Sequence, residues 1–74
     1  MEAATLQKRL GSAMRERRTA LDRSQESFAD LIKMHRAYYS AIERGERNIT
    51  LHTMYRVARG LGVSVKDLME DARL

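Results

Sequence analysis

Arg36, Tyr38, Ser40, Arg44, Arg47 and Asn48 place guanidinium, phenol, hydroxyl and amide groups in one short stretch of this chain. A guanidinium offers a planar fork of N–H donors that fits a phosphate or the O6/N7 edge of guanine, and hydroxyl and amide groups suit phosphate oxygens. Covalent chemistry is poorly served by comparison. His35 and His52 have no spaced carboxylates to complete a ligand set, so neither a metal nor another cofactor is expected. Ser, His and Asp occur without triad logic, and 74 residues leave little room for a shaped catalytic pocket. The expectation is a binding protein and not an enzyme.

Those side chains need elements to hold them. Ser24 through Ile32, running into Met34 through Gly45, reads as two short helices joined by a tight turn at Lys33-Met34-His35. Ser24 is a good N-cap, Glu26 sits in the first turn, and Phe28, Leu31 and Ile32 supply a buried stripe. The second helix runs from about Arg36 to Arg44 and stops at Gly45. Tyr39 and Ile42 are spaced to face inward, so Tyr38, about 100° away, goes outward. Residues 24–44 thus have the layout of a helix-turn-helix, whose second helix enters the DNA major groove.

In that setting Arg36, in the first turn, is the leading candidate to read a base, with a phosphate contact as the alternative. The Ala37 methyl either touches a thymine methyl or simply lets the helix approach closely. Tyr38 can stack on a flexible base step or bond a phosphate. Ala41 is grouped with these readers, near the groove or its wall, and Ser40 is either a phosphate ligand or a packing residue. Ser24 and Gln25 open a helix whose free N–H groups favour a phosphate. His35 is a turn or cap residue within phosphate reach, and Arg44, Arg47, Asn48 and Thr50 would grip the strand on the other side.

The rest of the chain is helical by pattern. Leu6, Leu10, Ala13 and Met14 recur at helical spacing between Thr5 and about Ala20, and a break follows at Leu21-Asp22-Arg23. Thr50 caps a fourth helix carrying Leu51, Met54, Val57, Ala58 and Leu61, which Gly62 can end in a left-handed conformation. Ser64 and Asp67 match a capping box that opens a last short helix with Leu68 and Met69. The expected fold is all-α, five helices in a single domain over residues 1–74, with its core within about 6–70. Pro is absent and Gly numbers only 4, which argues against a turn-rich β fold. No Cys is present, which fits a cytoplasmic protein, and no apolar run approaches the roughly 20 residues of a membrane span. Lys+Arg 14 against Asp+Glu 10 gives +4, with Arg far ahead of Lys, a balance suited to a polyanion.

Four pieces together resemble the lambda-repressor-like (Xre-type) helix-turn-helix family over roughly Leu10 to Met69. They are Met14-Arg15-Glu16-Arg17-Arg18, Ser24-Gln25-Glu26 with Ala29, Ile42-Glu43-Arg44-Gly45, and Val57-Ala58-Arg59-Gly60-Leu61-Gly62-Val63. More narrowly, His35-Arg36-Ala37-Tyr38 followed by Glu43 to Leu51 is similar to the controller proteins of restriction–modification systems. The resemblance implies a DNA-binding transcriptional regulator, a phosphate contact for Gln25, a DNA-facing Tyr38, and a structural pair between Glu43 and Arg18. Departures are Arg17 where the family has an apolar residue, Asp22-Arg23 for Gly-Leu, and Lys33 for Gly in the turn. Leu21 is placed to take over the missing apolar contact. Lys33 in a left-handed conformation would cost on the order of 1 kcal/mol relative to Gly.

One short recognition helix reads only a few base pairs, and two-fold dimers place two of them about 34 Å apart. A small core also favours a partner subunit. The expected partners are therefore double-stranded DNA and a second copy of the chain, joined through the fourth and fifth helices with some of Val65, Leu68, Met69 and Leu74 exposed. On a palindromic operator near a promoter, the dimer would block or touch RNA polymerase and could control restriction–modification genes. The alternative is an antitoxin-type protein-binding module on the same fold. An RNA binder ranks third, because exposed aromatic stacking platforms are lacking.

Overall fold

The computed structural model describes residues 1–74 as five helices: α1 (Ala3–Ala20), α2 (Gln25–Leu31), α3 (Arg36–Glu43), α4 (Leu51–Leu61) and α5 (Val65–Asp71). The long α1 packs against α3, α4 and α5, while α2 packs on α3. Leu10, Ala13 and Met14 form its buried stripe, as their three- and four-residue spacing requires. Gly11 lies in the same face, and the reason is distance: a Cβ there would stand 2.4 Å from the Glu43 carbonyl oxygen and 2.6 Å from that of Ile42. Helix α3 therefore ends directly against α1. At the core centre the Phe28 and Tyr39 rings sit 5.1 Å apart, with Met14, Val57 and Leu68 also fully buried.

The helix starts follow their side chains. Ser24, Thr50 and Ser64 each accept a bond from the backbone N–H three residues on, and Asp67 returns the bond to Ser64 N–H to close a capping box. His35 Nδ1 caps α3 by accepting from Ala37 N–H at 3.3 Å. The helix ends share one device. In each case a left-handed residue follows the helix, at Asp22, Lys33, Gly45, Gly62 and Arg73, and the next N–H reaches back to the carbonyl five residues before it. This is the Schellman arrangement. Only two of these five positions carry glycine, so Lys33, at φ 55°, bears the strain its sequence implies.

Several apolar residues lie elsewhere than the spacing suggested. Leu31 is 48% exposed, because Phe28, Ala29 and Ile32 define the inner face of α2 and Leu31 falls about 100° from its centre. Leu51 is 71% exposed at the start of α4, and Leu6 and Leu21 also face water. Leu21 thus replaces no core contact. Arg17 ties α1 to α5 with a two-point pair to Asp71, at 2.6 and 3.2 Å. Leu68 is a correction of a different kind: it is fully buried, projecting with Ala72 into the core, and so cannot join a subunit interface. Val65 and Met69 are half-buried and Leu74 is exposed. No helix is long and apolar enough to cross a membrane.

Candidate nucleic-acid interface

Helix α3 has two sides with different duties. Tyr39, Ile42 and Glu43 turn inward and are buried, while His35, Arg36, Ala37, Ser40 and Arg44 line one shallow, open concavity along the outer side. Five residues chosen from the sequence are thus brought onto one strip. Arg36 and Ala37, in its first turn, are exposed. Ala41 is not available as a reader: only 8% of the residue is exposed, too little to meet a base. Tyr38 is half-buried against the core, and the Arg47 guanidinium lies over its ring, 5.2 Å from the centroid. Such stacking holds the guanidinium over the ring. Asn48 and Thr50 are exposed, but the Thr50 hydroxyl is occupied, accepting from Thr53 N–H and donating to Thr53 Oγ1, both at 3.1 Å.

A buried polar knot sets how α3 sits. Arg18 from α1 donates to Glu43 through Nε at 2.7 Å and Nη2 at 3.0 Å, and its Nη1 donates to the Arg23 carbonyl at 2.7 Å. Gln25, the first residue of α2, donates from Nε2 to the same Glu43 carboxylate at 2.9 Å. One carboxylate therefore joins the end of α3 to α1 and to the start of α2. Burial alone would raise the Glu43 carboxyl, but the hydrogen bonds from Arg18 and Gln25 outweigh it and hold the group below its ordinary range. The Tyr39 hydroxyl is buried beside this pair, close to the Glu43 carboxylate but with no partner in hydrogen-bonding geometry. Desolvation pushes its phenol far above the usual range, and the neighbouring carboxylate adds to the push. One of the two Gln25 amide hydrogens is thus committed inward, leaving the other, with the free N–H groups of α2, for an external anion.

Three contacts lie beyond the expectations from the sequence, two of them without a local signal. Arg56 of α4 donates from Nη2 to the carbonyls of Ile32 at 2.8 Å and Lys33 at 3.1 Å, bracing the strained turn between α2 and α3. Nothing local announces a bond across so many residues. The Gln25–Glu43 link is long-range in the same way. Arg44 pairs with Glu46 at 3.0 and 3.1 Å, a contact that adjacent opposite charges could have suggested.

Residues 14–68 match the helix-turn-helix family. The control protein C.MunI from Mycoplasma sp is 41% identical over 64 residues, covering 85% of this chain and 86% of that protein. Among solved structures, the restriction-modification controller protein C.AhdI from Aeromonas hydrophila is similar with TM-score 0.79 and 36% identity, over 82% of this chain and 92% of that one. The restriction-modification controller protein C.Esp1396I, solved as a tetramer in complex with its natural 35 base-pair operator, is similar with TM-score 0.80 and 26% identity, over 93% of this chain and 96% of that one.

Proposed function

The chain belongs to the helix-turn-helix family and, within it, to the restriction–modification control proteins, and from that premise we propose that it regulates transcription by binding a palindromic operator as a homodimer. This family consists of DNA-binding regulators, not enzymes. The observation that carries the reading is the outer strip of Arg36, Ala37, half-buried Ser40 and Arg44 along a helix whose opposite side is locked in the core. Arg36 reads a base edge and Ala37 sets the approach. Ser24, Gln25, His35, Arg44, Arg47 and Asn48 hold phosphates on the two sides, which fixes register without choosing sequence. The operator complex of C.Esp1396I supports both DNA and an oligomer as partners.

The dimer would use apolar surface left open on α4 and α5. Leu51 and Tyr55, one helical turn apart on α4, are 71% and 54% exposed; Leu74 is exposed just past α5, and Val65 and Met69 are half-buried on it. Bound beside a promoter in the cytoplasm, the dimer blocks or touches RNA polymerase and so sets expression of restriction–modification genes. Selection of bound oligonucleotides from random DNA tests the whole reading. The expected product is an inverted repeat with half-sites one helical turn, or a multiple of it, apart. Recovery of unrelated sequences, with no preference surviving a second round, would refute it.

A further inference from the structure

The strip along α3 ends at a carboxylate. Glu46 takes the side-on fork of Arg44, Nε to Oε2 at 3.0 Å and Nη2 to Oε1 at 3.1 Å, while Arg44 Nη1 donates to Ser40 Oγ at 2.6 Å. That is the geometry with which a guanidinium grips a phosphate. Both side chains are more than half exposed, so the pair is no structural strut. Its position is nonetheless fixed, because Glu46 N–H closes the end of α3 on the Ala41 carbonyl at 3.0 Å. Building on the DNA-binding reading, we propose that Glu46 is a built-in competitor for DNA phosphate: it holds the Arg44 fork in the free protein and lowers affinity for duplexes of any sequence. Of the five guanidinium N–H groups, three are engaged, leaving two, so a phosphate must displace Glu46 to use the side-on fork. The arginine bond also holds the Glu46 carboxyl below its ordinary range, so it stays an anion. Binding then exchanges one anion for another at Arg44, and the gain is small.

The test is a double-mutant cycle, Glu46→Gln, Arg44→Ala and both together, read by fluorescence anisotropy on a random-sequence duplex across a salt series. Far-UV circular dichroism confirms that each variant is folded. Glu46→Gln should bind about three-fold tighter, and its salt slope should steepen by up to roughly 0.9, the increment for one more neutralised phosphate. The gain should vanish when Arg44 is already Ala. Two results overturn the proposal: a Glu46→Gln protein that binds like the wild type, or a gain that persists without Arg44, which would make Glu46 a plain repelling charge. Failure of the wild type itself to bind duplex DNA in a salt-dependent way would remove the parent reading, a different result from wild-type binding that Glu46→Gln leaves unchanged.

Discussion

Removing the Glu43 carboxylate should unfold much of this protein's margin of stability. The Glu43 side chain is 2% exposed and that of Arg18 8%, so Glu43→Ala strands a guanidinium where water hardly reaches. Breaking a buried pair from one side costs roughly 3–5 kcal/mol. Arg18 keeps its bond to the Arg23 carbonyl, so the lower end, about 3 kcal/mol, is expected. At 0.05–0.15 kcal/mol per residue, 74 residues have only roughly 4–11 kcal/mol to lose. Urea titration followed by circular dichroism at fixed protein concentration measures the change, and the melting midpoint should fall by roughly 12–24 °C. The pair Arg18→Met with Glu43→Leu should recover much of the loss, since apolar replacement of both partners is often neutral. Acid provides a second readout. Because the folded carboxyl is held below its ordinary 4.5, the unfolded chain binds the proton first, so this contribution is fully present above pH 4.5 and is lost as pH falls through the lower folded value. Wild type should therefore lose stability more steeply below pH 4.5 than Glu43→Gln. A Glu43→Ala cost under about 1 kcal/mol would refute the claim that this carboxylate holds α1, α2 and α3 together.

Further outcomes are expected from the same geometry. Arg36→Ala should weaken operator binding by roughly 1–3 kcal/mol and relax choice at one base pair, whereas Arg47→Ala should weaken all duplexes alike and flatten the salt slope; anisotropy on matched and mutated sites separates the two. Gly11→Ala should cost roughly 1–3 kcal/mol in chemical unfolding because its methyl meets backbone carbonyls of α3, while Gly62→Ala, left-handed but with open space around it, should cost only about 1 kcal/mol. Leu51→Asp with Tyr55→Asp should shift sedimentation toward monomer without loss of helix. Leu68→Ala should instead lower stability by about 2–5 kcal/mol, as a core truncation does.

Most of the fold was legible because its signals are local. Caps at Ser24, Thr50 and Ser64, the left-handed Gly62, and inward Tyr39 and Ile42 follow from side chains a few residues apart. Burial was read less well wherever apolar type alone was used. Leu31 and Leu51 are as hydrophobic as their neighbours, yet their angles on short helices turn them to water, whereas Leu68 turns inward. At the site, the exposed positions of Arg36 and Ala37 followed from their place in the first turn of α3, but the burial of Ala41 did not. Arg18–Glu43 came from family resemblance; the third partner, Gln25, and the brace from Arg56 depend on tertiary placement and left no local trace.

The reading helix itself explains why these supports matter. At eight residues, α3 is too short to be stable through its own hydrogen bonds. Each constraint on it therefore comes from elsewhere: His35 caps its start, Tyr39 and Ile42 anchor its inner side, Glu43 pins its last residue, and Gly45 turns the chain away against Lys8 of α1. None of these groups lies on the outer strip except His35. On the proposed reading, substitution at Arg36 or Ala37 would alter base choice without disturbing the anchors, while any change at an anchor moves every outer side chain together. A loss of affinity without altered preference marks an anchor, and altered preference at unchanged stability marks a reader.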